Sequence, residues 1–206
     1  MKKYYTLALA LSLGACAAAP SYVVDEVNNG KNQPVSLGID DIDLQNAARD
    51  LINSMLASPV FATSNPNERH ILVMSRITND TMQHFDTDIL TKKIRIALLN
   101  SGRVYVTTAI GANGAEDNMT HATRELRDND EFNQKTIAKK GTILSANRSL
   151  SGKIIQRNTR IKGTFSDSQR VDYYFQMTVT NLDNGLAIWE DEIKINKLGS
   201  NRSVAW

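Results

Sequence analysis

The single cysteine of this 206-residue chain stands at position 16, directly behind Leu13, Gly14 and Ala15. A thiol placed there suits one reaction. A peptidase with a pocket for small side chains cuts before it, and the sulfur becomes a thioether to diacylglycerol. Lys2 and Lys3 supply a positive leading region, and an apolar run from Tyr4 to Leu13 follows. A run of about ten residues suits a signal-peptide core and is too short to cross a bilayer, which takes roughly 20. Each acyl methylene that enters the membrane contributes ~0.8 kcal/mol, so one chain holds marginally and two or more hold stably.

The order Leu-Gly-Ala-Cys is similar to the bacterial lipoprotein signal. It divides the chain into a signal peptide at 1–15, a lipidated Cys16 with a short tether at 16–39, and a single domain at 40–206. The alternative is an ordinary secretory signal cut after Ala17 or Ala19, with Cys16 incidental. Ala17 is not the Asp that in many bacteria resembles an inner-membrane retention signal. The expected place is therefore the outer membrane, on its periplasmic face.

Charge sharpens this. The chain has 24 basic and 22 acidic residues, and without Lys2 and Lys3 the two counts are equal. A nearly neutral mature chain argues against nucleic acid as a partner, which calls for a clustered positive excess. With Cys16 acylated no thiol is left to pair, so the domain must stand on its apolar core.

Other chemistry finds little support. His70, His84 and His121 show no i, i+4 pair and no Cys or Glu at ligand spacing, which speaks against a zinc site. Gly111 to Gly114 follows a strand but lacks both a third glycine and a Gly-Lys-Ser/Thr, so a phosphate cradle is not indicated. Asp128, Asn129 and Asp130 have Asn133 and Lys139 where a calcium loop needs Gly and Glu. There is no Gly-x-Ser-x-Gly elbow and no Ser-x-x-Lys with Lys-Thr-Gly. The expectation is a non-enzyme with no cofactor, no metal and no small-molecule substrate. Lys153, Arg157, Arg160 and Lys162 form the one charge cluster that suggests a contact surface, steering the domain onto an acidic module. Trp206, in a tail at 199–206, is a second candidate anchor.

The elements that must carry these groups follow from periodicity. Leu44, Ala47, Ala48, Leu51, Ile52 and Met55 make one helical stripe over about 41–57, with Asp40, Asp41 and Asp43 capping its start and Pro59 ending it. Residues 70–77 read as a buried strand, 87–100 as a helix capped by Asp86, and 103–107 as a second strand, a strand–helix–strand unit with parallel strands. A broken helix pair is expected at 118–127 and 130–140, then a strand within 142–157. Residues 171–180 alternate, with Val171, Tyr173, Phe175, Met177 and Val179 on one face. Asp183-Asn184-Gly185 turns the chain into a last strand over 186–195, with Trp189, Ile193 and Ile195 inward. Val23, Val24 and Val27 leave open a short strand or docking of the tether. The fold class is α/β (α+β): a small mixed sheet of about four to five strands with helices packed against it.

Several of these pieces coincide in order. Phe85-Asp86-Thr87-Asp88 opens a helix that ends in Leu98-Leu99-Asn100-Ser101-Gly102-Arg103. Leu150-Ser151-Gly152-Lys153-Ile154 begins a strand, and Leu182-Asp183-Asn184-Gly185 precedes Ile188-Trp189-Glu190. Behind a lipobox, this order resembles the LpoB family of outer-membrane lipoproteins that activate penicillin-binding proteins, over roughly residues 40–196. The resemblance implies a docking domain that binds a bifunctional peptidoglycan synthase and raises glycan polymerisation and cross-linking allosterically, with no catalytic residue. A secretion-accessory or assembly lipoprotein with a related α/β core is the alternative. The family's long Pro-rich leader is missing: residues 17–39 hold only Pro20 and Pro34. Fully stretched, some 24 residues reach at most ~85 Å, and as a relaxed coil about 27 Å.

Overall fold

The computed structural model describes residues 24–25, 37–62, 70–112, 116–163 and 167–200. The elements run β1 (Val24–Asp25), α1 (Asp41–Ala57), β2 (His70–Asp80), α2 (Thr87–Asn100), β3 (Val104–Thr107), α3 (Met119–Glu125) with a 3-10 turn at Leu126–Asp128, β4 (Arg148–Ile161), β5 (Ser168–Asn181) and β6 (Ala187–Ser200). The fold is an α+β domain with a mixed sheet. Its lipobox residues Leu13, Gly14, Ala15 and Cys16 lie outside the described residues, as does Trp206.

Each helix begins where its acids place it. Asp40 and Asp43 form a reciprocal capping box on α1, and the Asp86 side chain accepts from the Asp88 amide on α2. Both carboxylates satisfy amides that have no partner in the first turn. The stripe expected on α1 is buried as a set.

The strands form one sheet in the order β1-β6-β5-β4-β2-β3. β2 runs parallel to both β3 and β4, and every other pair is antiparallel. The β2–α2–β3 unit is thus the parallel one expected, while β4, β5 and β6 form a meander. A bulge between Met74 and Ile77 resets the pleat of β2, so that Leu72, Met74 and Ile77 are all buried.

Both long helices lie on one face of the sheet. α1 covers the β5–β6 half and α2 the β2–β3 half. Between them and the sheet sit Leu51, Met55, Ile94, Leu98, Leu72, Ile154, Tyr173 and Phe175, all sealed from solvent. Each such side chain contributes about 1.5–3 kcal/mol relative to exposure, which is what holds a domain that has no disulfide. Phe61 closes one end of this core, with His70 edge-on to its ring and the Arg148 guanidinium over it.

Four boundaries differ from expectation. Leu37 and Ile39 are buried, so packing against the core reaches upstream of residue 40. Residues 130–140 form turns and not a helix, and the piece before them is reduced to α3 and the 3-10 turn. The cause is local. No apolar stripe rewards a helix there, and side chains compete for the backbone: Asn129 and Asn133 cap the Glu131 and Lys135 amides, and the Gln134 amide group donates to the carbonyls of Leu126, Asn129 and Phe132. β4 ends at Ile161, four residues beyond the expected segment. β6 continues through Gly199 and Ser200, which had been assigned to the tail. The β5–β6 connection turns at Gly185, whose φ of 74° takes no penalty without a Cβ.

Candidate docking surface

The pleat that sends odd-numbered residues of β5 into the core sends its even-numbered residues to the opposite face, which neither α1 nor α2 covers. Register fixes the rows across that face. Thr78, Lys153, Gln176 and Glu192 form one, Asp80, Ile155, Tyr174 and Lys194 the next, and Arg157, Asp172 and Asn196 a third.

The rows are charged unevenly. Toward the β5–β6 turn, Gln176 donates to Glu192 at 2.7 Å and Thr178 to Glu190 at 3.1 Å. Toward the other end the charges are mostly cations. Lys153 pairs with Asp80 at 2.8 Å, and the Lys194 ammonium lies 5.4 Å from the centre of the Tyr174 ring. Asp172 is 1 % exposed on this face, held by Arg170 at 3.3 Å and Lys194 at 3.5 Å. A sealed carboxylate with two cations over it is an anchor that fixes where those cations sit. The surface therefore grades from carboxylates near the turn to cations at the far end, with Lys153 sharing Glu192's row at the border and Tyr174 standing on the cationic side.

At the β2–β3 corner of the same face, α3 and the chain after it stand off the sheet and leave a cleft of about 500 Å³. Ile71, Tyr105, Thr107, Arg124, Ile143 and Leu144 are among its walls. Tyr105 is 50 % exposed and Leu144 71 %. Arg124 is held there by the Lys139 carbonyl and the Thr142 hydroxyl. An aromatic and aliphatic corner beside a charged field has the composition of a protein contact.

The four cations singled out from the sequence do not form one patch. Lys153 and Arg157 share the open face. Arg160 has the parity of the core residue Ile154 and so lies on the other side of β4, where it binds Asp167; Lys162 lies just past the strand end. The Arg160 guanidinium, with the Gly163 amide, holds the Asp167 carboxyl below the usual carboxylate range. Arg157 makes no ion pair among the described residues. Reasoning on the sequence missed Tyr174, Arg170, Asp172 and Lys194. The alternation of 171–180 did contain the signal for Tyr174's face, but not the fact that no helix covers it.

Two of the histidines considered above have partners in the fold. The His121 ring nitrogen is 2.5 Å from the Ala109 carbonyl, and His70 meets Arg148. Among the described residues no three His, Cys, Asp or Glu are grouped to hold a metal ion, and no helix is long and apolar enough to cross a membrane.

The family model for LpoB, described as a peptidoglycan-synthase activator, matches residues 43–195. The chain belongs to the LpoB family. That span runs from the first turn of α1 to the inward-facing Ile195 of β6, so it takes in nearly all of α1, the whole of α2 and the open face up to Lys194. Solved LpoB structures are similar to it at low identity. The C-terminal domain of LpoB from Salmonella enterica is 16% identical, with a TM-score of 0.44, over 74% of this chain and 97% of that one. The corresponding Escherichia coli LpoB domain is 14% identical, with a TM-score of 0.40, over 75% and 97%. The solution structure of E. coli LpoB gives 13% identity and a TM-score of 0.40 over 96% and 94%. No curated protein matches the chain.

Proposed function

We propose that this protein is an outer-membrane lipoprotein, cut before Cys16 and acylated there, that binds a bifunctional peptidoglycan synthase of the penicillin-binding class and activates it. The observation that carries this reading is the family match over residues 43–195. The mechanism is a shift of population: the lipoprotein binds the active state of the synthase better than the resting one and raises its share by that difference in affinity. It supplies no catalytic group.

The contact is the cationic half of the open face, met by an acidic module of the synthase. Lys153 and Arg157 act from the face itself; Arg160, across β4 and paired with Asp167, and Lys162, past the strand end, stand at its margin. Tyr174 gives the patch an aromatic centre, and opposite charge steers the encounter. The neutral overall charge fits a body whose attraction comes from local separation of charge and not from net excess.

A second reading, an assembly or secretion-accessory lipoprotein, has one observation in its favour: the leader is short and Val24–Asp25 is already paired to β6, which limits reach toward an enzyme in the opposite membrane. Purified protein added to a bifunctional synthase and lipid-linked precursor separates the two. The first reading expects co-precipitation and a several-fold rise in glycan polymerisation. Co-purification with an outer-membrane oligomer and an unchanged polymerisation rate would favour the second.

A further inference from the structure

The chain touches β6 twice before the first helix begins. Val24 and Asp25 pair antiparallel with Leu198 and Lys197. Leu37 then packs on the next residue of the same strand: a Cβ on Gly199 would stand 2.9 Å from Leu37 Cδ2. The Leu37 carbonyl also accepts from Tyr173 Oη at 3.1 Å. Both ends of the intervening stretch, residues 26–36, are thus fixed at one place on the sheet. While the pairing holds, an anchor at Cys16 is joined to the body at Val24.

We infer that Val24–Asp25 is a releasable strap that sets the reach and the orientation of the domain at the membrane. The inference rests on acylation of Cys16, as proposed above. With the strap on β6, the leash is residues 17–23, spanning at most about 28 Å from Cys16 to Val24. With the strap off, the leash runs to Leu37 and spans up to about 74 Å. Direction follows from the antiparallel pairing. The chain upstream of Val24 leaves β6 toward Ser200, the end of the sheet where Ile161 faces Ser168 and Lys162 follows. Docked, the strap turns the Arg160–Lys162 end toward the bilayer and the Tyr105–Leu144 corner away from it. Two residues at a sheet edge form a weak ladder, so strap and free leash exchange readily. A partner or surface that occupied the β6 edge would release the body outward.

The test uses the lipidated protein on vesicles of phosphatidylethanolamine and phosphatidylglycerol, with a donor dye on Gly163→Cys and acceptors on the headgroups. A flexible insert of about twelve Gly and Ser residues, a length chosen for a coil spanning roughly 20 Å, is placed after residue 20 or after residue 31. The insert after residue 20 should lower energy transfer, and the insert after residue 31 should leave it unchanged. In Val24→Pro/Asp25→Pro, which removes the strap's amides, both inserts should lower it. Equal loss from both inserts in the unsubstituted chain would overturn the strap. A protein that fails to attach to vesicles refutes the acylation and not the pairing. Hydrogen exchange of the chain from Cys16 onward then decides the pairing. Whichever of the Lys197 and Leu198 amides points outward should exchange at least tenfold faster in the double proline variant, and identical rates would sink the pairing itself.

Discussion

The Lys197 ammonium lies 2.6 Å from Asp43 Oδ2 and 3.9 Å from Asp40 Oδ2, with its side chain only 1 % exposed. This ties the C-terminal part of β6 to the capping box that starts α1. Burial pushes the Asp43 carboxyl above its ordinary value even with that ammonium beside it, so loss of hydration outweighs the attraction. Lys197→Met should therefore strand a carboxylate and cost roughly 3 kcal/mol. Adding Asp43→Asn, whose amide oxygen can still accept from the Asp40 amide, should restore much of that loss. Urea melts of the two variants check this; a double variant as unstable as the single one would show that the ion pair is not what matters.

Tyr173 gives a pH dependence of definite sign. Burial pushes its hydroxyl up to about 12, above the ordinary value near 10. The fold prefers the protonated form. Its contribution is therefore complete below pH 10 and lost as pH rises from about 10 to about 12, by some 2–3 kcal/mol. Tyr173→Phe should cost about 1 kcal/mol at neutral pH, from the bond to Leu37. It should also flatten the alkaline fall in urea midpoint relative to the parent chain.

Gly199→Ala should destabilise the domain by about 1–3 kcal/mol, because the new methyl group meets Leu37. Leu37→Ala in the same chain should relieve part of the clash. Thermal melts of the pair report whether residue 37 belongs to the packed body. No effect from Gly199→Ala would place Leu37 outside it.

The helices and strands whose apolar residues repeat cleanly were legible in the sequence. α1 and α2 each carry one stripe and a capping acid, and β5 alternates along most of its length. The stretch after Asp128 was not. It reads as a second helix, but Asn129 and Asn133 cap consecutive turns there instead. The start of the domain was hidden for a different reason. Leu37 and Ile39 are isolated among polar residues, and only the proximity of Gly199 and Tyr173 gives them a place to go. For the docking face the sequence supplied Lys153 and Arg157. It could not show that Arg160 falls across the strand from them, because the expected strand stopped at Arg157, and only the continuation of β4 to Ile161 carries the alternation to Arg160.

Charge reversals on β4 should separate the cation with no carboxylate partner among the described residues from those that have one. Arg157→Glu, at a cation with no carboxylate partner among the described residues, should weaken synthase binding by about 1–3 kcal/mol and leave the melting temperature unchanged. Lys153→Glu and Arg160→Glu should do less, because Asp80 and Asp167 already neutralise part of each charge. The effect of Arg157→Glu should shrink as salt rises. Titration of the synthase at two ionic strengths reads both quantities.

Cys16→Ser should abolish incorporation of labelled palmitate and release the protein from membranes, with the soluble chain retaining its melt. Palmitate entering the serine variant as well as the parent would remove the anchor from the account.

The parallel pairing of β2 between β3 and β4 has a consequence for how the chain finds its native state. β4, β5 and β6 are joined by short connections and can zip together from neighbouring sequence. β2 must cross some 70 residues to meet β4, and closing so distant a contact is slow. The C-terminal meander is thus the natural nucleus, and the N-terminal half condenses onto it as a latecomer. A chain emerging N-terminus first would have to hold α1 and β2 unpaired until the last third arrived, an interval in which a chaperone has an apolar strand to guard.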